Sequence, residues 1–211
     1  MRDASTRPLI QPTEPMAEPI PPVTRALLFA NVGAFALARL VGGSGLVDAF
    51  ALWPPGPLFR PWQVLSYAFL HGSTLHLAFN MFALWMFGTE LERVLRGRRF
   101  FLLYFASVLT AAAAQLAVTW LTHGENPTVG ASGGLFGVLL GFALLFPQRR
   151  ITALFPPIPM PAWLFVTIYG AIELYLGVTG SASGVAHFAH LGGMLGGYLV
   201  FAYWRRQYRR G

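Results

Sequence analysis

Long apolar runs alternate in this chain with short clusters of arginine, and that alternation leaves few folds open. The runs occupy about 25–41, 75–91, 100–121, 132–146, 162–178 and 186–204. Hydrophobic residues make up 55% of the 211 residues and charged residues only 11%, whereas a soluble domain carries about a quarter charged residues. In a bilayer each backbone polar group must be satisfied within the protein, so spanning segments are helices or closed barrels. The sequence shows no alternating β pattern. The fold class that follows is all-α: a polytopic membrane protein built as a bundle of six transmembrane helices.

The arginines orient the bundle. There are fifteen of them and no lysine, for a formal charge of +7. They stand between apolar runs rather than on an aromatic-studded polar face, so they read as topology signals and not as a nucleic-acid surface. If the chain crosses six times, thirteen of the fifteen fall on one side, and only Arg39 and Arg60 lie towards the other. Both termini are therefore expected in the cytoplasm, with the protein a multi-pass resident of the inner (plasma) membrane. Residues 1–22 form a proline-rich tail expected to be disordered, 23–204 the six-helix domain, and 205–211 a basic tail. Ala36-Leu37-Ala38 imitates a signal-peptidase site, but Arg39 follows at once and the long proline-rich lead is wrong for a signal. With no cysteine there is no disulfide, thiol nucleophile or cysteine-bound zinc.

Two connections stand out. The first external one, 42–74, mixes helix breakers with aromatics in Leu52-Trp53-Pro54-Pro55-Gly56-Pro57-Leu58-Phe59 and then Trp62. Tryptophan favours the membrane boundary, so this loop is expected to lie half immersed. The 179–185 segment is rich in Gly, Ser and Ala and is expected to be mobile.

Runs two, four and six all begin on the outer side, which brings their early polar residues to one depth: His76 and Asn80, Ser132, and His187 and His190. From Ser132 to Phe146 the chain has room for ~22 Å of helix, less than the ~30 Å hydrocarbon core. Ser132 is thus expected below the outer surface, in a cavity that water enters. Gly133, Gly137 and Gly141 recur along one helical face, as do Ala189, Gly193 and Gly197. Small faces let two helices approach closely, as a Ser–His hydrogen bond of ~2.6–3.2 Å requires. Ordinary small-residue packing would use the same pattern.

Serine is common polar glue between membrane helices, but Ser132 sits at a helix N-terminus, where unpaired N–H groups and the dipole favour an oxyanion. His76 and Asn80, at i and i+4, share a face and can both donate to that oxyanion; the bland alternative is interhelical hydrogen bonding. His187 and His190 could instead bind a metal, with His71 or His76 as the nearby third ligand, yet no metal and no cofactor is expected. Gly130-Ala131-Ser132-Gly133-Gly134 formally matches the nucleophile elbow of α/β-hydrolases. That motif needs a strand before the serine and an acid, then a histidine, after it. Here a Pro-containing loop precedes Ser132, and Glu173 is the only acid beyond it.

Taken together, these motifs resemble the rhomboid family of intramembrane serine proteases over roughly 25–204. The second run carries His71-x4-His76-x3-Asn80 and then Gly88-x3-Glu92. The fourth carries GASGGLFG from Gly130 to Gly137, and the sixth AHLGG from Ala189 to Gly193. The resemblance implies a Ser132 nucleophile and a His190 general base with no third acid, and the sequence sets no carboxylate beside His190. It implies an oxyanion site of the Ser132 backbone N–H, His76 and Asn80. It places the Phe136 ring against the catalytic histidine, His187 near the site, and Gly88 and Glu92 in structural roles. The 42–74 loop would be the family's membrane-embedded first loop. The 179–185 segment would cap the site, and run five would be the side of substrate entry. The expected substrates are transmembrane proteins, with the lipid bilayer as surroundings and no nucleic acid. The pattern matches the simple six-span bacterial form. The competing function is a catalytically silent rhomboid-like protein that binds membrane proteins without cutting them; such relatives lose the serine or the histidine, and this chain keeps both.

Overall fold

The structure, a computed structural model, describes residues 18–42, 44–152, 157–180 and 185–209. Most of the proline-rich tail and the centre of the expected 179–185 cap lie outside the described residues. Helix α1 (Pro22–Leu40) opens on a proline, whose missing N–H costs nothing at a first helical turn, and no side chain of its own caps it. Short helices α2 (Ser44–Phe50) and α3 (Gln63–Ser66) and a 3-10 turn, Tyr67–Phe69, fill the first connection. Helix α4 (Thr74–Ala83) is capped by Ser73, whose hydroxyl accepts from the His76 N–H. A π-helical turn, Leu84–Gly88, joins it to α5 (Thr89–Thr122). Arg96, at φ 65°, breaks the helical conformation inside α5, so residues 74–95 and 97–122 are two rods. Then come α6 (Ser132–Leu145), α7 (Ala162–Thr179) and α8 (His187–Tyr208).

Six rods thus coincide with the six apolar runs. Among the described residues three helical stretches can cross a membrane by length and composition: Pro22–Leu40, Thr74–Thr122 and Ala162–Thr179, with Ser132–Leu145 a shorter apolar helix. The all-α expectation needs one correction. Strands β1 (Arg150–Thr152) and β2 (Pro159–Pro161) pair antiparallel after α6, and an isolated bridge joins Leu52 to Thr128. Three-residue strands are too short to show a period of two, which is why the pattern did not reveal them.

Helices α5, α6 and α8 form the centre. Apolar on every side, α6 buries residues from Gly133 to Ala143, as expected of a helix enclosed by others. Its glycine face does meet α8. A Cβ on Gly197 would stand 2.8 Å from the Gly137 carbonyl oxygen, one on Gly137 2.7 Å from that of Gly193, and one on Gly193 would collide with the Gly133 carbonyl. A second glycine face on α8 escaped the sequence reading. Gly192 and Gly196 lie against Thr110, Ala111 and Ser107 of α5, so α8 is wedged between two helices at backbone distance.

The two ends of the bundle differ in chemistry. At one end Glu92 caps α1, Arg149 pairs with Glu90 at 3.0 Å, Arg93 pairs with Glu18 at 3.1 Å, and Arg99 lies over the Trp204 ring. Arginines far apart in sequence therefore gather at one end, where Gly88 is also held: a Cβ there would press on Leu84, Phe100 and Thr24. The opposite end carries the first connection and the starts of α4, α6 and α8. That connection is tied inward: the buried Gln63 side chain accepts from the N–H groups of Arg60 and Trp53 and donates to the Leu58 carbonyl. The Tyr67 hydroxyl donates to the Val108 carbonyl at 2.8 Å. Its outer surface exposes Phe50, Leu58, Trp62 and Leu65.

Candidate active site

The loop before α6 is stretched between two supports. Thr128 and Leu52 exchange backbone hydrogen bonds of 2.9 and 3.0 Å, and the Gly130 N–H donates to the Tyr67 carbonyl. Gly130 has φ +132°, a conformation side chains rarely adopt, and a Cβ there would stand 2.9 Å from the His76 ring. Glycine is thus required both by backbone angle and by the close approach of His76. Two residues later Ser132 begins α6, where the first N–H groups lack intrahelical partners.

Ser132 Oγ lies 2.7 Å from His190 Nε2. The Phe136 ring, one turn along α6, stacks on the His190 imidazole at a centroid distance of 4.3 Å and an interplanar angle of 5°. Both pairings follow from the glycine contacts, which bring the start of α6 against the start of α8. His76 faces the same side of Gly130 as the serine hydroxyl and meets His71 edge-on at 5.0 Å. His71, in the first connection, has its pKa pushed down to about 4, by burial first and then by His76. Asn80 is buried, but its amide nitrogen donates to the His76 carbonyl at 2.9 Å. One of its two N–H bonds is thereby spent on its own helix.

The expectation that no acid stands beside His190 is overturned. Glu173 of α7 reaches across to α8: its Oε2 lies 2.6 Å from His187 Nδ1 and 2.9 Å from His190 Nδ1. The second contact is at ion-pair distance with an oblique angle, and among the described residues no other group partners His190 Nδ1. Glu173 precedes His187 by fourteen residues on a different helix, so adjacency along the chain could not reveal the contact. A signal was nonetheless present: an ionisable residue well inside an apolar run marks a functional site by default.

Glu173, His187 and His190 are also the residues, among those described, that could hold a metal ion, their donor atoms lying within 4.8 Å of one another. The third donor is thus Glu173, and not His71 or His76 as the sequence had it. The 2.6 Å separation is that of a shared proton, and the 2.9 Å one that of an ion pair. Two donors each ~2.0–2.1 Å from a tetrahedral zinc stand farther apart.

A helical bundle with apolar, membrane-length segments, carrying a serine at a helix start against a histidine from another helix, defines the class of this protein. Comparison with known proteins agrees. The Rhomboid domain family model matches residues 59–207, most of the chain. Rhomboid protein 1, mitochondrial, of Saccharomyces cerevisiae is 33% identical over 183 residues, 82% of this chain and 51% of that protein. Rhomboid protease GluP of Bacillus subtilis is 33% identical over 141 residues, 67% of this chain and 25% of the relative. Rhomboid protease GlpG of Pectobacterium atrosepticum is 25% identical over 183 residues, 87% of this chain and 62% of the relative. The chain belongs to the rhomboid family, and it spans less than two thirds of the length of each of these relatives.

Proposed function

We propose that this chain is an intramembrane serine endopeptidase that hydrolyses peptide bonds within transmembrane segments of other membrane proteins. The observation that carries the reading is the 2.7 Å contact between Ser132 Oγ and His190 Nε2, with the imidazole held face-on by Phe136. That is the geometry a hydroxyl nucleophile needs to pass its proton to a base as it attacks. Family relatives bearing the name rhomboid protease support the same reaction class.

In this mechanism Ser132 Oγ attacks the scissile carbonyl carbon while His190 Nε2 takes the hydroxyl proton. The carbonyl oxygen becomes an oxyanion facing the free N–H groups at the start of α6 and the polar side chains of His76 and Asn80. Collapse breaks the C–N bond, His190 gives its proton to the leaving amine, and water repeats the sequence to release Ser132. In the bilayer all six rods cross and both termini stay in the cytoplasm of a plasma-membrane protein. The arginine-rich end lies inward, and the first connection is embedded by its exposed aromatic face. The short α6 then leaves Ser132 below the outer surface, in reach of water. The test is cleavage of a model single-span substrate by purified protein, with a cut that is absent from Ser132→Ala. A wild-type protein that binds this substrate without cutting it would instead establish the silent binding role.

A further inference from the structure

A two-residue mechanism leaves one buried charge at the site without a task. Glu173 belongs to neither helix of the Ser132–His190 pair, yet a single one of its oxygens faces two imidazoles. We propose that Glu173 is the positioning residue of this site: anchored by the Nδ1–H of His187, its carboxylate stands 2.9 Å from His190 Nδ1 and by its charge fixes His190 in the tautomer whose Nε2 is free to take the Ser132 proton. This rests on the serine-hydrolase reading and extends it from two residues to three.

The chemistry follows from counting protons. A neutral imidazole carries one N–H, and an ionised carboxylate can only accept. The nitrogen facing Oε2 must therefore hold the proton. For His190 that nitrogen is Nδ1, which leaves the Nε2 lone pair directed at Ser132 Oγ, 2.7 Å away. The opposite tautomer would set a lone pair against a carboxylate and an N–H against the hydroxyl oxygen, and would be useless as a base. When the Oγ–C bond forms, the hydroxyl proton moves to Nε2 and the carbonyl π pair moves to oxygen. The resulting imidazolium lies beside the Glu173 carboxylate. The Nε2 proton leaves with the amine, and the Nδ1 proton never moves.

His187 completes the arrangement as the donor that holds the carboxylate in place. At 2.6 Å it pins the same carboxylate oxygen that faces His190. Its approach depends on Gly177, one turn further along α7, where a Cβ would stand 3.2 Å from the His187 Cβ and 3.0 Å from the Phe188 ring. Beyond Val166, Glu173 is the residue that α7 buries. A purely structural role as the anchor of that half-helix is thus the competing explanation, and the test must separate the two.

The test compares the full chain with Glu173→Gln, Glu173→Leu and Glu173→Asp. It measures kcat and KM on a model transmembrane substrate, thermal stability, and 15N NMR of the histidine rings in bilayers. Glutamine keeps the shape but can turn an N–H towards Nδ1, so kcat should fall ~10²–10⁴-fold, the scale of losing tautomer control in a serine triad. KM should stay within a few-fold and the midpoint of unfolding close to wild type, and aspartate should recover part of kcat. In the wild-type spectrum His190 should be protonated at Nδ1, and in Glu173→Gln that signature should weaken or move. Full kcat in folded Glu173→Gln and Glu173→Leu, or a wild-type His190 protonated at Nε2, overturns the proposal. Should the variants fail to fold, the wild-type nitrogen spectrum alone decides. If Ser132→Ala still cuts, the hydrolase reading falls while the spectrum still judges Glu173. If Ser132→Ala is silent and Glu173→Gln is fully active, only the positioning role falls.

Discussion

Two glutamates are buried among the described residues, one towards each end of the bundle, and their partners differ in kind. Glu92, 2% exposed, accepts from the backbone N–H groups of Val23 and Thr24 and from the Thr24 hydroxyl, at 3.0, 2.7 and 2.8 Å. None of those donors titrates near neutrality. The carboxylate closes the uncapped start of α1 from a residue 68 positions away, a capping bond and a tertiary contact at once. Glu173, 9% exposed, meets two imidazoles instead, groups whose protons can be moved. A buried charge must be compensated wherever it lies. Fixed donors make Glu92 part of the scaffold, and the imidazoles beside Glu173, one of them facing a serine, are what its proposed positioning role rests on.

The sharpest way to break that comparison is at the serine. Ser132→Ala should abolish cleavage of a transmembrane substrate, a loss of at least ~10⁴-fold, while leaving the unfolding midpoint unchanged. Wild-type turnover would remove the chemistry from the Glu173 end altogether. A smaller loss is expected from Gly193→Leu, where a side chain must displace the Gly133 carbonyl and so the start of α6. A shift of about 1 Å costs ~10²-fold in rate, and overpacking lowers stability by ~1–3 kcal/mol. Leu195→Ala, at an exposed position on the same helix, is the control, and equal turnover in both variants would show that the dyad distance does not depend on this face.

At the other end the expected effects are on stability alone. Glu92→Gln would oppose an amide donor to the α1 donors and should cost ~1–3 kcal/mol, with kcat per folded molecule unaltered. A drop in kcat without loss of stability would erase the distinction between the two ends. The smallest effect should come from Thr24→Val, which removes one hydroxyl bond to Glu92 and should lower stability by about 1 kcal/mol. Denaturation in detergent measures both, and a stability equal to wild type in each would mean that the cap contributes nothing to the fold.

Much of this molecule was legible because its periodicities are local. The apolar runs mark the rods to within a few residues, and the four-residue glycine spacing identified the faces that pack α6 on α8. Ser132 and His190 stood out since a polar residue at the start of an apolar run has few other uses. The contacts that escaped are those made across helices that share no pattern. Gly192 and Gly196 read as part of one glycine-rich stretch, and only packing shows that they serve α5 while Gly193 and Gly197 serve α6. Asn80, read as a donor to substrate, spends an N–H on the His76 carbonyl, a choice of rotamer that no spacing encodes.

By itself the sequence determined that the chain is a bundle of apolar helices, which of its ends carries the arginines, and which serine and histidine are candidates to react. Hydropathy and small-residue spacing are properties of neighbouring residues, so they can be read along a line. Only the tertiary structure decided that a carboxylate stands behind the histidine. Glu173 reaches His190 because α7 and α8 pack side by side at Gly177, and because His187 takes the same oxygen. The rotation of one helix about its axis relative to another sets such a meeting, and that angle follows from the packing of the whole bundle.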